Sequence, residues 1–330
     1  VGIAPLYYSQ VGSRITFGSE IKAILPALAS RPGVNLQALD QLMTYWAPAS
    51  PNTLFEGVYE LPPGFMMVMD ASGMEISRYW DWSFPVQADQ YLADSEEVLA
   101  EQLRELLVDA TRIRLRSDVP VGAYLSGGLD SSVLVAMIHH FSDAKLRTFS
   151  IGFDAESLDE TSYPQLMIDQ VGADHSRVQC SEADIAEHFV KTIWHTEAPI
   201  LRTAPVPMRL LSNLVRSQDY KVVLTGEGSD EVLGGYDIFK ETKIRQFWAA
   251  NADSGFRPAL LKRLYPYLDV SPGRAQQYLR NFFGSNLDEP NLPCFSHIPR
   301  WTTTAKCKEF FSSEVKATLS GDLMKLVESS

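Results

Sequence analysis

Cysteine is scarce in this chain: Cys180, Cys294 and Cys307 are the three it has in 330 residues. An odd number without metal-type spacing argues against a disulfide framework or a zinc knuckle, and it suits a reducing, cytoplasmic compartment with all three thiols buried. Histidine is nearly as sparse, with 6 in all. The adjacent pair His139-His140 would point about 100° apart on a helix, a poor arrangement for sharing a metal. No apolar run approaches the roughly 20 residues that span a bilayer, and no signal peptide is visible. Positive charge is in deficit: 29 Lys and Arg stand against 41 Asp and Glu, a net charge of −12. So acidic a chain lacks the basic face that nonspecific nucleic-acid binding requires, although a nucleotide's charge can still be met locally. Neither nucleic acid nor membrane is therefore expected as a partner.

What is present reads as an ordinary globular composition, 45% hydrophobic and 21% charged, in a chain long enough for two domains. Leu6-Tyr7-Tyr8 and Arg14-Ile15-Thr16-Phe17 have strand character on either side of a Gly12-Ser13 turn. Ser19 is read as the cap of a short helix through Ile21, Ile24 and Leu25, stopped near Pro26. A helix is predicted over Leu36–Tyr45, with Leu36, Leu39, Leu42 and Met43 on one face. Phe65–Met69 and Glu75–Tyr79 read as a hairpin around Ala71-Ser72-Gly73. This stretch, residues 1–88, is predicted to be part of an α+β domain, and residues 89–96 of the polar stretch after Pro85 a linker.

Beyond the linker the pattern changes. Ser95, followed by Glu96 and Glu97, opens an amphipathic helix with Leu99, Leu103, Leu106, Leu107 and Ala110 as its apolar face. Strands at 121–125, 147–151, 175–178 and 221–224 then alternate with helices starting near 131, 159, 182 and 207. Such alternation predicts an α/β fold, a parallel sheet with helices on both faces, whose ligands bind beyond the carboxyl ends of the strands. Residues 97–330 are assigned to this second domain, helical and irregular after residue 240.

Two glycine loops lie at strand ends. In the first, Ser126-Gly127-Gly128-Leu129-Asp130-Ser131-Ser132, the glycines let the backbone approach a ligand and the serines sit at a helix start, where free N–H groups face an anion. Asp130 would repel a bare phosphate, so its presence implies a divalent cation between the two. The spacing is neither that of a Walker loop nor that of a dinucleotide fingerprint. The second loop, Thr225-Gly226-Glu227-Gly228-Ser229-Asp230-Glu231, gathers three acids within five residues. A bound Mg²⁺ would offset their mutual repulsion.

These residues resemble a known family. Ser126 to Ser132 looks like the pyrophosphate loop of the N-type ATP pyrophosphatases. Gly226 to Glu231, followed by Gly234-Gly235-Tyr236, is similar to the glutamine-dependent asparagine synthetases among them. Gly2 to Tyr8, Gly18 to Ala23 and Leu61-Pro62-Pro63-Gly64 look like the end of that family's N-terminal glutaminase domain. The resemblance implies an adenine nucleotide α-hydrolase-like sheet that uses ATP and Mg²⁺. A carboxylate, aspartate being the family's substrate, is adenylated with loss of pyrophosphate and then attacked by glutamine-derived ammonia. On this resemblance Asp130 and Asp230 hold the metal. Ser126, Gly127, Gly128, Ser131 and Ser132 cradle the pyrophosphate, and Leu125, Ile151, Thr225 and Gly226 lie on the adenine side. Glu227 serves the acyl-adenylate and its attack by ammonia. Leu125 and Ile151 are equally well read as strand core.

Three departures from the family pattern shape the expectation. No cysteine precedes Cys180, so the glutaminase nucleophile is missing and the chain reads as a piece truncated at both ends, limited to free ammonia. Glu197 to Ala204 replaces the usual aspartate-recognition stretch, where Arg202 could grip a carboxylate bidentately or merely sit on the surface. The family's C-terminal Arg-Val-Pro-Phe-Leu-Asp-like segment and pyrophosphate-contacting Lys have no counterpart before Ser330, and Lys240 is not taken as a substitute. The piece alone is thus expected to be weak or inactive. Two alternatives stay open: an amidotransferase or cyclase acting on another carboxylate of a polysaccharide or peptide pathway, and a noncatalytic nucleotide-binding module. The assembly is left between monomer and homodimer.

Overall fold

The computed structural model describes residues 2–84, 91–142, 146–154, 162–265 and 274–319. Part of the predicted linker, the predicted helix start near Asp159 and the final stretch of the second domain lie outside the described residues. Two compact units emerge, one combining Val1–Trp82 with Leu233–Ser330 and the other spanning Ser83–Val232.

The first unit begins with strands β1 (Tyr7–Val11) and β2 (Arg14–Gly18) in an antiparallel hairpin that pairs Tyr8 with Phe17. Helix α1 (Ile21–Ile24) follows, and a 3-10 turn over Leu25–Ala27 takes Pro26 at its start. Its cap is Glu20, not Ser19, and no side-chain bond supports it; Ile21 and Ile24 instead fix the helix by burial against Val58. Helix α2 (Leu36–Tyr45) occupies the predicted residues because Asn35 accepts a bond from Ala38 N–H at 3.2 Å. It ends at Trp46, which takes the left-handed conformation at φ 76°. Strand β3 (Tyr59–Glu60) joins β1, while β4 (Phe65–Asp70) and β5 (Gly73–Arg78) form a separate hairpin.

The second unit opens with α3 (Glu96–Arg114) and continues through β6 (Val121–Tyr124), α4 (Leu129–Phe141), β7 (Arg147–Phe153), α5 (Ser162–Val171) and β8 (Asp174–Cys180). Helices α6 (Glu182–Thr196) and α7 (Pro205–Ser217), strand β9 (Val222–Leu224) and helix α8 (Ser229–Leu233) complete it. All strand pairings are parallel, in the order β8-β7-β6-β9. Helices cover both faces. Ala123 and Leu125 pack with Val135 and Ile138 of α4, and Phe149 packs oppositely with Leu211 and Val215 of α7. Helix α6 starts on a full capping box: Asp184 N–H donates to Ser181 Oγ at 3.1 Å, and Ser181 N–H donates to the Asp184 carboxylate at 2.8 Å. One expectation changes. Helix α3 forms, yet its leucine stripe is largely uncovered, with Leu106 69% exposed. Periodicity identifies an apolar stripe without saying what lies against it.

Back in the first unit, α9 (Asp237–Ala249), α10 (Arg274–Phe283) and α11 (Ile298–Ala305) surround a core of Trp248, Leu261, Phe283, Phe295 and Ile298, and α12 (Ser313–Thr318) follows with no buried residue. Two charges lie inside it. Arg245 donates to the carbonyls of Phe283, Ser285 and Phe295, and its guanidinium lies 3.8 Å from the centre of the Phe295 ring. Burial pushes the Arg245 pKa down to about 10, still protonated at neutral pH. Glu241 receives both terminal nitrogens of Arg300, at 2.6 and 2.7 Å, together with the Tyr265 hydroxyl. Burial, and then the bond to Glu241, drives the Tyr265 pKa up. Cys180 and Cys294 are buried, but Cys307 is exposed on the 3-10 turn Lys306–Phe310, which corrects the expectation of three buried thiols. Among the described residues no helix is long and apolar enough to cross a membrane.

Candidate functional site

Strand order creates the site. The chain runs outward from β6 to β7 and β8, then returns to place β9 on the opposite side of β6. The sheet reverses its winding between β6 and β9, and at such a switch point the loops leaving two neighbouring strands diverge to open a crevice. The loops leaving β6 and β9 are the two glycine loops. They touch: a Cβ built on Gly226 would lie 2.9 Å from Asp130 Cβ and 3.1 Å from Ser131 N. Only a glycine allows that approach.

The first loop is braced from within. Leu125 N–H donates to Phe149 O at 2.9 Å, tying the end of β6 to β7. Gly127 then turns at φ 88°, beneath Tyr163 and Pro164 of α5, which leave no space for a side chain. Gly128 caps α4, so the helix begins at Leu129, two residues before the predicted start. The Ser131 side chain is buried; its oxygen accepts Ser126 N–H at 3.2 Å and lies 3.0 Å from Ser126 Oγ. Ser126 Oγ in turn accepts Gly128 N–H at 3.2 Å. The hydroxyl oxygens therefore engage the amides that an anion would use, leaving the loop already curled. Ser132 N–H is bonded to Gly128 O at 3.1 Å in the first turn of α4.

The second loop repeats the plan. Glu227 N–H donates to Thr225 Oγ1 at 3.3 Å, Gly228 turns at φ 95°, and Ser229 Oγ donates to Gly226 O at 2.7 Å as α8 begins. Asp130 and Asp230 each stand second in the helix that follows their loop, and both are partly buried. Glu227 is exposed between them in sequence. Among the described residues no three His, Cys, Asp or Glu side chains gather as a metal cage. Asp130 and Asp230 offer carboxylate oxygens, the donor type that suits Mg²⁺, which takes one or two carboxylates and completes its shell with other oxygens.

The remaining predicted residues are distributed more widely. Leu125 has its side chain in the core at 1% exposure, so any contact with a ligand falls to its main chain. Ile151 is half-buried on β7 opposite Val178. Arg202 is exposed on the segment between α6 and α7, away from both glycine loops in sequence. Sequence reasoning missed Tyr163 and Pro164, which carry no motif, and also Arg177. The Arg177 guanidinium lies across Gly152 near the carboxyl end of β7, and a Cβ at that position would collide with it. The glycine directly after Ile151 was the available signal. Deeper in the same strand pair, His175 bridges Thr148 Oγ1 at 2.9 Å and Ser150 Oγ at 3.0 Å. Burial, and then repulsion from Arg177 and Arg147, lowers the pKa of His175.

Comparison with known proteins decides the family. The asparagine synthase family model matches residues 102–325 and so takes in both loops. The chain belongs to the asparagine synthase family. Residues 1–80 match a glutamine amidotransferase domain. A putative glutamine-hydrolysing asparagine synthetase of Methanocaldococcus jannaschii is 35% identical over 239 residues, covering 72% of this chain and 45% of that protein. The amidase chry2 of Gibberella zeae is 34% identical, covering 74% of this chain and 38% of that protein. Asparagine synthetase 1 of Bacillus subtilis is 31% identical, covering 73% of this chain and 37% of that protein. The chain thus spans less than half the length of each of these relatives.

Proposed function

We propose that this asparagine synthase family chain carries the ATP-dependent step of amide synthesis. A substrate carboxylate oxygen attacks the α-phosphorus of ATP, forming an acyl-adenylate and expelling pyrophosphate; ammonia then attacks the acyl carbon and AMP leaves. The observation that carries this reading is the contact of Gly226 with Asp130 and Ser131, which brings two acidic glycine loops together at the switch point. In the proposal, Ser126, Gly127, Gly128, Ser131 and Ser132 form the pyrophosphate cradle. Thr225, Gly226, Ile151 and the Leu125 main chain form the adenine side. Glu227 is the acid beside the acyl carbon. Asp130 and Asp230 would hold Mg²⁺, which supplies charge neutralisation on the departing pyrophosphate. Glutamine is the proposed source of ammonia, supported by the amidotransferase match at residues 1–80. Cytoplasmic residence accords with the reduced, buried thiols of Cys180 and Cys294.

Aspartate is the first carboxylate proposed, with Arg202 as a candidate grip on its free carboxylate. A second reading, action on a different acid, is supported by the amidase chry2, whose 34% identity is close to the values for the synthetases. ATP–pyrophosphate exchange by the full-length gene product, without ammonia and with the carboxylate varied, separates the two. Exchange with aspartate supports the first reading, and exchange only with other acids supports the second. No exchange with any acid would overturn both and leave a noncatalytic nucleotide-binding module.

A further inference from the structure

The first compact unit joins residues from both matched families: its N-terminal part lies within the glutamine amidotransferase match, and its C-terminal helices within the asparagine synthase match. The join is made by α2 against α11 and the turn that follows it. Lys308 Nζ lies 2.8 Å from the Asp40 carboxylate and donates to Thr44 Oγ1 at 3.1 Å. Both charges are largely withdrawn from water, which makes their geometry specific rather than incidental. The rings of Tyr45 and Trp301 meet edge-on, with centroids 4.7 Å apart.

A hydrogen-bonded line continues from this contact. Trp46 Nε1–H donates to Thr304 Oγ1 at 2.6 Å, and the Thr304 hydroxyl donates its own proton to Arg300 O at 3.0 Å. Arg300 then grips Glu241 of α9 with both terminal nitrogens. Helix α9 is the element into which the chain passes after the second glycine loop and Gly234-Gly235-Tyr236. At the other end, Trp46 caps α2 in the left-handed conformation, its N–H donating to Leu42 O at 3.0 Å. The same residue therefore ends α2 and carries the indole bond to Thr304, where the line begins.

We propose that α11 is the link, within the first unit, between the glutaminase-matched residues and the C-terminal helices of the synthase match, with Trp46 and Thr304 as positioning residues that hold α2 to α11 and, through Arg300 and Glu241, to α9. This inference rests on the amide-synthesis reading above. Neither residue touches substrate. Their loss is expected to spoil the use of glutamine-derived ammonia while leaving the adenylating loops able to use free ammonia.

The test uses the full-length gene product carrying Thr304→Val, Thr304→Ser or Trp46→Phe. Amide formation is measured with free ammonia and with glutamine, together with the glutamate released per amide formed. Thr304→Val and Trp46→Phe should each raise the glutamate-to-amide ratio about 5-fold or more, the size of an ordinary coupling free energy, while ammonia-dependent kcat stays within about 2-fold. Thr304→Ser, which restores the hydroxyl, should restore the ratio. Trp46→Phe keeps the test open if Thr304→Val does not fold. An unchanged ratio in both variants overturns the proposal, as does equal loss of the ammonia and glutamine reactions, which would mark a purely structural contact. A wild-type protein that uses ammonia but not glutamine also overturns it. Failure of wild type to make amide from any nitrogen source counts instead against the underlying reading.

Discussion

Replacing Gly226 with Ala tests the meeting of the two loops directly. The added methyl would sit 2.9 Å from Asp130 Cβ, 3.1 Å from Ser131 N and 3.2 Å from Asp130 C. Two of those three atoms belong to the main chain of α4, so no side chain can swing aside and the loops must part. Overpacking of this kind typically costs about 1–3 kcal/mol. If the cost is taken up by separating the loops, it appears as weaker nucleotide binding, about 5- to 150-fold for the same energy. Gly12→Ala is the control, because Gly12 has φ 60° with nothing within 4 Å of its would-be Cβ. It should lower stability by about 1–2 kcal/mol through backbone strain alone and leave nucleotide affinity unchanged. Calorimetric titration with Mg·ATP and urea denaturation of both variants supply the readouts. Gly226→Ala with wild-type affinity and a wild-type midpoint would refute the close approach and, with it, the two-loop site.

Further outcomes follow from the same contacts. Asp130→Asn should cut pyrophosphate exchange by about 100-fold or more with little change in melting temperature, since Asp130 is proposed to hold metal rather than to stabilise the fold; retained exchange would discard that assignment. Glu241→Gln strips the charge from a carboxylate that is 1% exposed and gripped twice by Arg300, leaving that guanidinium unpaired, so a loss of about 3–5 kcal/mol is expected in urea denaturation. Acidification should destabilise the protein in part through His175, whose pKa is held down by burial and by Arg177 and Arg147. Above the ordinary imidazole pKa of about 6.5 both states are neutral there. As pH falls through that value the unfolded chain takes up a proton that the folded state refuses, so stability drops until the depressed folded pKa is passed. The melting temperature of His175→Gln should therefore fall less steeply between about pH 7 and about pH 5, and an equal slope would exclude the contribution.

Legibility in the sequence followed the range of the forces involved. Helix α2 ran over the predicted residues and α6 began at the predicted Glu182, because a cap and an apolar repeat act within a few residues. The error at Ser19 came from beyond that range: the helix is fixed by burial of Ile21 and Ile24 against Val58, which outweighs a hydroxyl cap. Leu125 shows the limit most clearly, since its place at the end of a strand was readable while the direction of its side chain was not. Ser131 shows it again: its place at a helix start was readable, while the turn of its hydroxyl back to brace the loop was not.

The residues of the two loops, their glycines and acids, and the alternation of strands with helices were determined by the sequence alone. Such signals are local and survive being read one segment at a time. Tertiary structure decided that β9 returns beside β6 rather than outside β8, and so that Gly226 lies against Asp130 across nearly a hundred intervening residues. It also decided that α11 and the turn after it close on α2. Strand order and helix docking depend on which apolar faces find one another after the chain collapses, and no short stretch of sequence carries that information.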